Sequence, residues 1–215
     1  ARKGARGRRE DGARARLDRG AERLLSRPRQ DSGQCPPGRL QGRDGAVYIG
    51  TTRGLSVYGN GKFTTVDIKN EIGDRLSVTS LFEDEKGRLW IGAVGNLHIY
   101  HKGVLGSVPG FAGLTIWAIK RDANGDIWIG SGKGLFRMRG DKIDAKFSMS
   151  DGLPSDDVSV IYQDRRGRMW FGTQGGVAHH EHGSFTKLTT ANGLASDRVR
   201  SIYETSDGVL WFGTY

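Results

Sequence analysis

This chain of 215 residues reads as all-β, a β-propeller built of four-stranded antiparallel blades, on three observations. A phrase made of a turn, a short apolar strand and an aromatic anchor occurs five times. Its anchors are spaced at about forty residues, the repeat length of a propeller blade. Every Gly-dense stretch falls between strand-like runs, and none opens a helix. The fullest copy is Asp164-Arg165-Arg166-Gly167-Arg168-Met169-Trp170-Phe171-Gly172-Thr173. Copies at Gly87-Arg88-Leu89-Trp90-Ile91-Gly92, Gly125-Asp126-Ile127-Trp128-Ile129-Gly130 and Gly208-Val209-Leu210-Trp211-Phe212-Gly213 agree with it. Gly45-Ala46-Val47-Tyr48-Ile49-Gly50 opens the series with Tyr in place of Trp. The anchors Tyr48, Trp90, Trp128, Trp170 and Trp211 lie 42, 38, 42 and 41 residues apart, each with a Gly three before it and another two after it. These five aromatics are expected at equivalent buried places between blades.

Taken in order, residues 1–43 form a basic tail expected to be disordered. They hold 13 Lys/Arg against 5 Asp/Glu, so nearly all of the chain's +9 charge sits there and the repeats are close to neutral. A nucleic-acid or acidic-lipid arm is the sharper reading of such a tail, but a neutral propeller gives a long polyanion little to hold. Projected back from Gly45, the blade pattern puts Pro36, Arg39 and Gly42 where Val158, Ile161 and Asp164 stand, so blade one is expected to lack its first strand. Blade five is expected to lack its outer two. Open edges of that kind invite self-association. Cys35 is the single cysteine, so no internal disulfide can form. No apolar run reaches the length of a membrane span, and no secretory h-region is visible. The chain starts without Met and stops at Gly213-Thr214-Tyr215 in mid-repeat, which reads as a fragment of a longer protein.

The repeats, near 44–75, 76–113, 114–151, 152–193 and 194–215, give about four blades and a partial fifth. In each, a first strand such as Val158–Asp164 is rich in β-branched and aromatic residues. The turn Gly leads to a second strand whose unbroken apolar run implies burial on both faces. A bend at Gly54, Gly134 or Gly176, with Asn96 as a left-handed substitute, opens the third strand at Leu55, Leu97, Leu135 or Val177. A polar hairpin then leads to an outer strand starting at Phe63, Phe147 or Phe185.

The connection into the next blade is the most distinctive segment. It reads Gly152-Leu153-Pro154-Ser155-Asp156-Asp157-Val158 before the fourth blade and Gly193-Leu194-Ala195-Ser196-Asp197-Arg198-Val199 before the fifth. Together with Ile-Tyr and Gly-x-x-Trp-Phe-Gly-Thr in phase, this pattern resembles the two-component regulator propeller repeats over roughly residues 44–215. The resemblance implies the sensor region of a bacterial hybrid histidine kinase or of a related diguanylate cyclase. It further implies a periplasmic or other extracytoplasmic location, an output domain elsewhere in the parent chain, and room for a parent dimer. Two alternatives belong to other classes: a propeller enzyme resembling the streptogramin lyases, and a protein-interaction scaffold like the WD-repeat proteins, whose Gly-His and Trp-Asp pairs are absent here.

Residues that suggest chemistry have structural explanations close at hand. His179-His180-Glu181-His182 resembles a metal cluster, but His180 aligns with Tyr58 and Tyr100 in a packing slot. Asp156, Asp157 and Asp197 sit in turns where a Ser-Asp pair caps backbone amides. No nucleophile motif, phosphate loop or cofactor signature is present, so neither a metal nor a cofactor is called for, and the segment reads as non-enzymatic. One position on the first strand varies as Thr79, Trp117, Ser159 and Arg200 while the core slots Leu81, Ile119, Ile161 and Ile202 on the same strand stay apolar, so it faces open space. The expected ligand site is the channel mouth, with Arg75, Trp117, Ser155, Asp156, Gln174, Asp197, Arg198 and Arg200. An aromatic platform beside charged and amide groups suits a small polar ligand such as a glycan fragment.

Overall fold

A computed structural model of the chain describes residues 38–69, 73, 75–181 and 183–215. The tail before residue 38 and His182 lie outside the described residues. Blade one consists of β1 (Arg39–Gln41), β2 (Val47–Thr51), β3 (Gly54–Gly59) and β4 (Lys62–Val66). Blade two holds β5 (Val78–Glu83), β6 (Leu89–Ala93), β7 (Asn96–His101) and β8 (Val104–Ser107). Blade three holds β9 (Ile116–Arg121), β10 (Ile127–Ser131), β11 (Gly134–Arg139) and β12 (Lys142–Phe147). Blade four holds β13 (Val158–Gln163), β14 (Met169–Thr173), β15 (Gly176–Glu181) and β16 (Ser184–Leu188). Blade five consists of β17 (Val199–Glu204) and β18 (Leu210–Thr214). Each sheet is antiparallel with its strands in chain order, so the described residues form an incomplete propeller without a closed ring. First strands of successive blades lie against one another, β5 on β9, β9 on β13 and β13 on β17, and make the inner edge of the arc.

The repeat phrase explains how blades stack. In β14, Trp170 points forward into a cluster with Val199 and Ile202 of blade five, while Met169 and Phe171 point back onto Trp128 of blade three. The alternation of a strand thus serves two interfaces at once. Gly130 and Gly172 lie where the next blade comes closest. A Cβ on Gly130 would stand 2.6 Å from the Val158 carbonyl oxygen, and one on Gly172 would stand 2.8 Å from a Val199 methyl. Only glycine admits that approach. The hydroxyl at the end of the second strand closes the bend that follows: Thr51, Ser131 and Thr173 donate to the carbonyls of Gly54, Gly134 and Gly176 at 2.8–2.9 Å.

Four expectations change. Arg39–Gln41, assigned to the tail, is the first strand of blade one, paired Arg39↔Ile49 in the register that Ile161↔Phe171 adopts in blade four. Its backbone completes the ladder although the sequence lacks a β-branched run, and only Leu40 adds apolar packing. Trp211 is 62% exposed, against 0–5% for Trp90, Trp128 and Trp170, because no following sheet covers β18 among the described residues. Tyr48 is half-buried. In blade two the left-handed residue is Gly95 (φ +99°), one before Asn96, where Ala93 supplies no hydroxyl to the bend. Finally, Phe147 ends β12 instead of opening it, and Ile143 pairs with Met138 in the slot that Phe63 and Phe185 fill elsewhere.

Candidate functional site

Antiparallel connection gives the arc two faces. Inter-blade loops and the bends after each second strand share one, the loop face. The Gly turns between first and second strands, with the hairpins after each third strand, share the other, the turn face.

Seven of the eight predicted ligand residues lie on or beside the loop face near blades three to five, and the side chains of three of them, Ser155, Asp156 and Asp197, are already engaged. Asp156 accepts the Met149 amide at 2.8 Å, and its carbonyl accepts the Gly134 amide at 2.7 Å. Asp197 accepts the Thr190 amide at 2.7 Å in the same way. Both carboxylates therefore hold one-turn 3-10 helices, Met149–Asp151 and Thr190–Asn192, against the loops that feed blades four and five. Ser155 accepts the Asp157 amide at 3.2 Å, and the Gln174 amide donates to the Asp157 carbonyl at 3.2 Å. The Arg198 carbonyl accepts the Tyr215 amide at 3.2 Å, leaving its side chain exposed. Arg75 stands apart in the link between blades one and two, paired with Asp67 at 3.1 Å.

The variable position divides in two. Thr79 and Ser159 donate their hydroxyls to the carbonyls of Ile116 and Val199, the latter at 2.9 Å, so they tie each first strand to the next. Trp117 and Arg200 cannot make that tie. Trp117 is 36% exposed, and Arg200 is exposed with its guanidinium 5.4 Å above the Tyr215 ring. A large aromatic and a cation therefore stand at a place where the fold itself asks only for a small hydroxyl.

The turn face carries a constellation that the sequence reading overlooked. Asp164 Oδ1 accepts the amides of Arg166 and Arg168 at 3.0 and 2.8 Å, and Oδ2 accepts Arg168 Nε at 2.7 Å and Trp170 Nε1 at 2.8 Å. Asp84 repeats all four bonds with Lys86, Arg88 and Trp90. Asp122 repeats the two amide bonds and the Trp128 bond. One carboxylate thus folds the turn and satisfies the buried indole N–H, the polar atom that burial would otherwise penalise. Burial acts to raise the Asp164 and Asp84 carboxyls, but donors from Trp and Arg outweigh it and hold both below the ordinary value. Blade one has Gly42 at this position, and Asp44 takes over by accepting Tyr48 Oη at 2.9 Å. Blade five has Thr205, and its Trp is the exposed one. The signal was legible: Asp recurs six residues before Trp in the three fully covered copies.

His180 packs between the rings of Trp128, Phe147 and Phe185 at 4.9–5.9 Å, and burial followed by the Arg137 charge lowers its pKa. Among the described residues, no group of three or more His, Cys, Asp or Glu is placed to hold a metal ion.

Segments 73–95, 110–133, 152–175 and 193–215 match the family model described as two component regulator propeller. These segments are similar to two-component regulator propeller repeats. The extracellular domain of a putative hybrid two component system from B. thetaiotaomicron matches with 28% identity and a TM-score of 0.69, over 85% of this chain and 26% of that one. A second such domain from B. thetaiotaomicron matches at 17% identity and TM-score 0.69, over 87% of this chain and 29% of its own length. Virginiamycin B lyase from Staphylococcus aureus shares the fold at 22% identity and TM-score 0.62, over 86% of this chain and 64% of the lyase. The chain therefore spans roughly a quarter of the receptor domains it resembles. No functionally curated protein matches the chain. Among the described residues, no helix is long and apolar enough to cross a membrane.

Proposed function

We propose that this chain is part of the ligand-sensing propeller of a bacterial two-component or similar receptor. In this reading it takes a small polar ligand at the loop face, outside the cytoplasm, and passes the signal to an output domain elsewhere in the parent. One observation carries the site. On first strands where Thr79 and Ser159 serve the fold, Trp117 and Arg200 serve no such tie and stand exposed in blades three and five, on either side of the blade that carries Ser159. Trp and Arg are the side chains that contribute most per residue to recognition. Gln174 and Arg198 lie at the adjoining bends and add an amide and a cation. The extracellular setting of the two B. thetaiotaomicron domains supports the location.

A catalytic role is the second reading, favoured by the fold shared with virginiamycin B lyase. It would need an acid and a base within reach of one substrate. Of the acids at the loop face, Asp156 and Asp197 are instead bound to backbone amides, and Asp157 has a buried carboxylate oxygen with no base beside it among the described contacts. The test uses the full-length parent, titrated with a panel of oligosaccharides and small metabolites while output activity and turnover of each compound are followed. Saturable binding without turnover, weakened by Trp117→Ala or Arg200→Ala, is the expected result. Turnover of a panel compound moves the assignment to the enzyme class, and binding indifferent to both substitutions removes the site.

A further inference from the structure

A cleft of about 510 Å3 opens on the turn face between blades three and four, away from the loop face. The junction where it opens also departs from the repeat. At other junctions the residue after the turn Asp position clasps the next blade. Arg43 donates its amide to Glu83 at 3.0 Å, Glu85 accepts Arg121 Nη1 at 2.7 Å, and Arg165 donates its amide to Glu204 at 2.9 Å. Between blades three and four the equivalent residues are Ala123 and Gln163. Ala123 offers no side-chain partner, and Gln163 turns to the Gly167 carbonyl of its own blade at 3.2 Å.

Most charge around the cleft is spent internally. Asp126 pairs with Arg139 at 3.1 Å, Arg168 is held by Asp164 at 2.7 Å, and Asp122 is filled by two amides and an indole. Two charged groups are left over. Arg166 and Glu181 both line the cleft, both are exposed, and neither side chain pairs with a described residue. The amide of Asn124 lies in the same wall.

We propose that this inter-blade cleft binds a small carboxylate-bearing ligand, its carboxylate on the Arg166 guanidinium and its hydroxyl or ammonium donors toward Glu181. A guanidinium presents parallel N–H donors that match a carboxylate, and an unpaired acid lining the same cleft selects for donors on the same ligand. Trp128 lines the cleft, and its Nε1–H is fixed on Asp122 at 2.8 Å, so that indole proton reports occupancy from within the site. The cleft is independent of the loop-face proposal, because none of its lining residues belongs to that set.

The experiment follows the indole N–H cross peaks of the 15N-labelled chain during titration with sodium gluconate, L-serine and glucose. Gluconate supplies hydroxyl donors beside the carboxylate, L-serine supplies ammonium, and glucose lacks the carboxylate. Expected is a saturable shift of the Trp128 peak with gluconate or L-serine and none with glucose. Arg166→Ala should weaken it by roughly tenfold or more, the scale of a lost charge-assisted bond, and Arg166→Lys by less. Trp117→Ala should leave it unchanged. No saturable shift with either carboxylate, an equal shift with glucose, or indifference to Arg166→Ala overturns the proposal. Arg166 is exposed, so its loss leaves the fold intact, as unchanged peaks for Trp90 and Trp170 would verify.

Discussion

Blades four and five carry almost the same second strand, Met169-Trp170-Phe171-Gly172-Thr173 and Leu210-Trp211-Phe212-Gly213-Thr214, and the structure treats them differently. In blade four all five residues are buried, whereas in blade five Phe212 is covered on the side facing blade four and Trp211 stands open on the other. The Trp side of the phrase is thus an interface residue, and its burial belongs to the blade that follows. The turn chemistry tracks this difference. Asp164 binds the Trp170 indole, while Thr205 in blade five turns to Val209 and Asp207.

The largest test of that contrast is a pair of truncations. Trp170→Ala should cost about 3–5 kcal/mol in urea unfolding, and Trp211→Ala under about 1 kcal/mol, since only the first empties a packed interface. Equal costs would break the distinction. Next comes Asp164→Ala, which leaves a buried indole N–H, two turn amides and Arg168 without their acceptor. A loss of about 3 kcal/mol is expected. The same carboxyl sets a pH dependence. Its folded pKa lies below the unfolded value, so its contribution is present above the ordinary carboxylate pKa and is lost as pH falls through the depressed one. Asp164→Asn should flatten the acid limb of the stability profile, and an unaltered limb would refute that link.

Smaller again is Gly130→Ala, for which about 1–3 kcal/mol is expected, because its Cβ meets the Val158 backbone across the blade interface. Gly213→Ala meets only Ser201 of its own blade and should cost less. The smallest effect on stability is expected at the loop face. Trp117→Ala should change unfolding by under about 0.5 kcal/mol, because the side chain is partly exposed and ties no strands together.

Much of the fold was legible because repetition averages out local ambiguity. Five phrases in phase marked out the four-stranded blades, and the apolar runs around Trp90, Trp128 and Trp170 stated their own burial. Failures came where a feature depends on what lies outside the phrase. Arg39–Gln41 pairs through its backbone and needs little apolar signal. Trp211 reads like Trp170 because sequence does not say which blade is next. Asp84, Asp122 and Asp164 went unnoticed because an acid in a Gly turn has a sufficient local explanation. The carboxylates expected at the channel mouth are tied to backbone amides of segments seven residues earlier, as with Met149 and Asp156, a pairing that only the folded loop brings together.

The most direct test of blade-by-blade burial uses the chain's five tryptophans. Incorporate 5-fluorotryptophan, assign the five 19F resonances by single substitution, and titrate iodide or a soluble paramagnetic agent. The resonances of Trp117 and Trp211 should respond strongly, and those of Trp90, Trp128 and Trp170 should be protected. A responsive Trp128 or Trp170, or a Trp211 as protected as they are, would contradict the assignment of each indole to the blade that follows it.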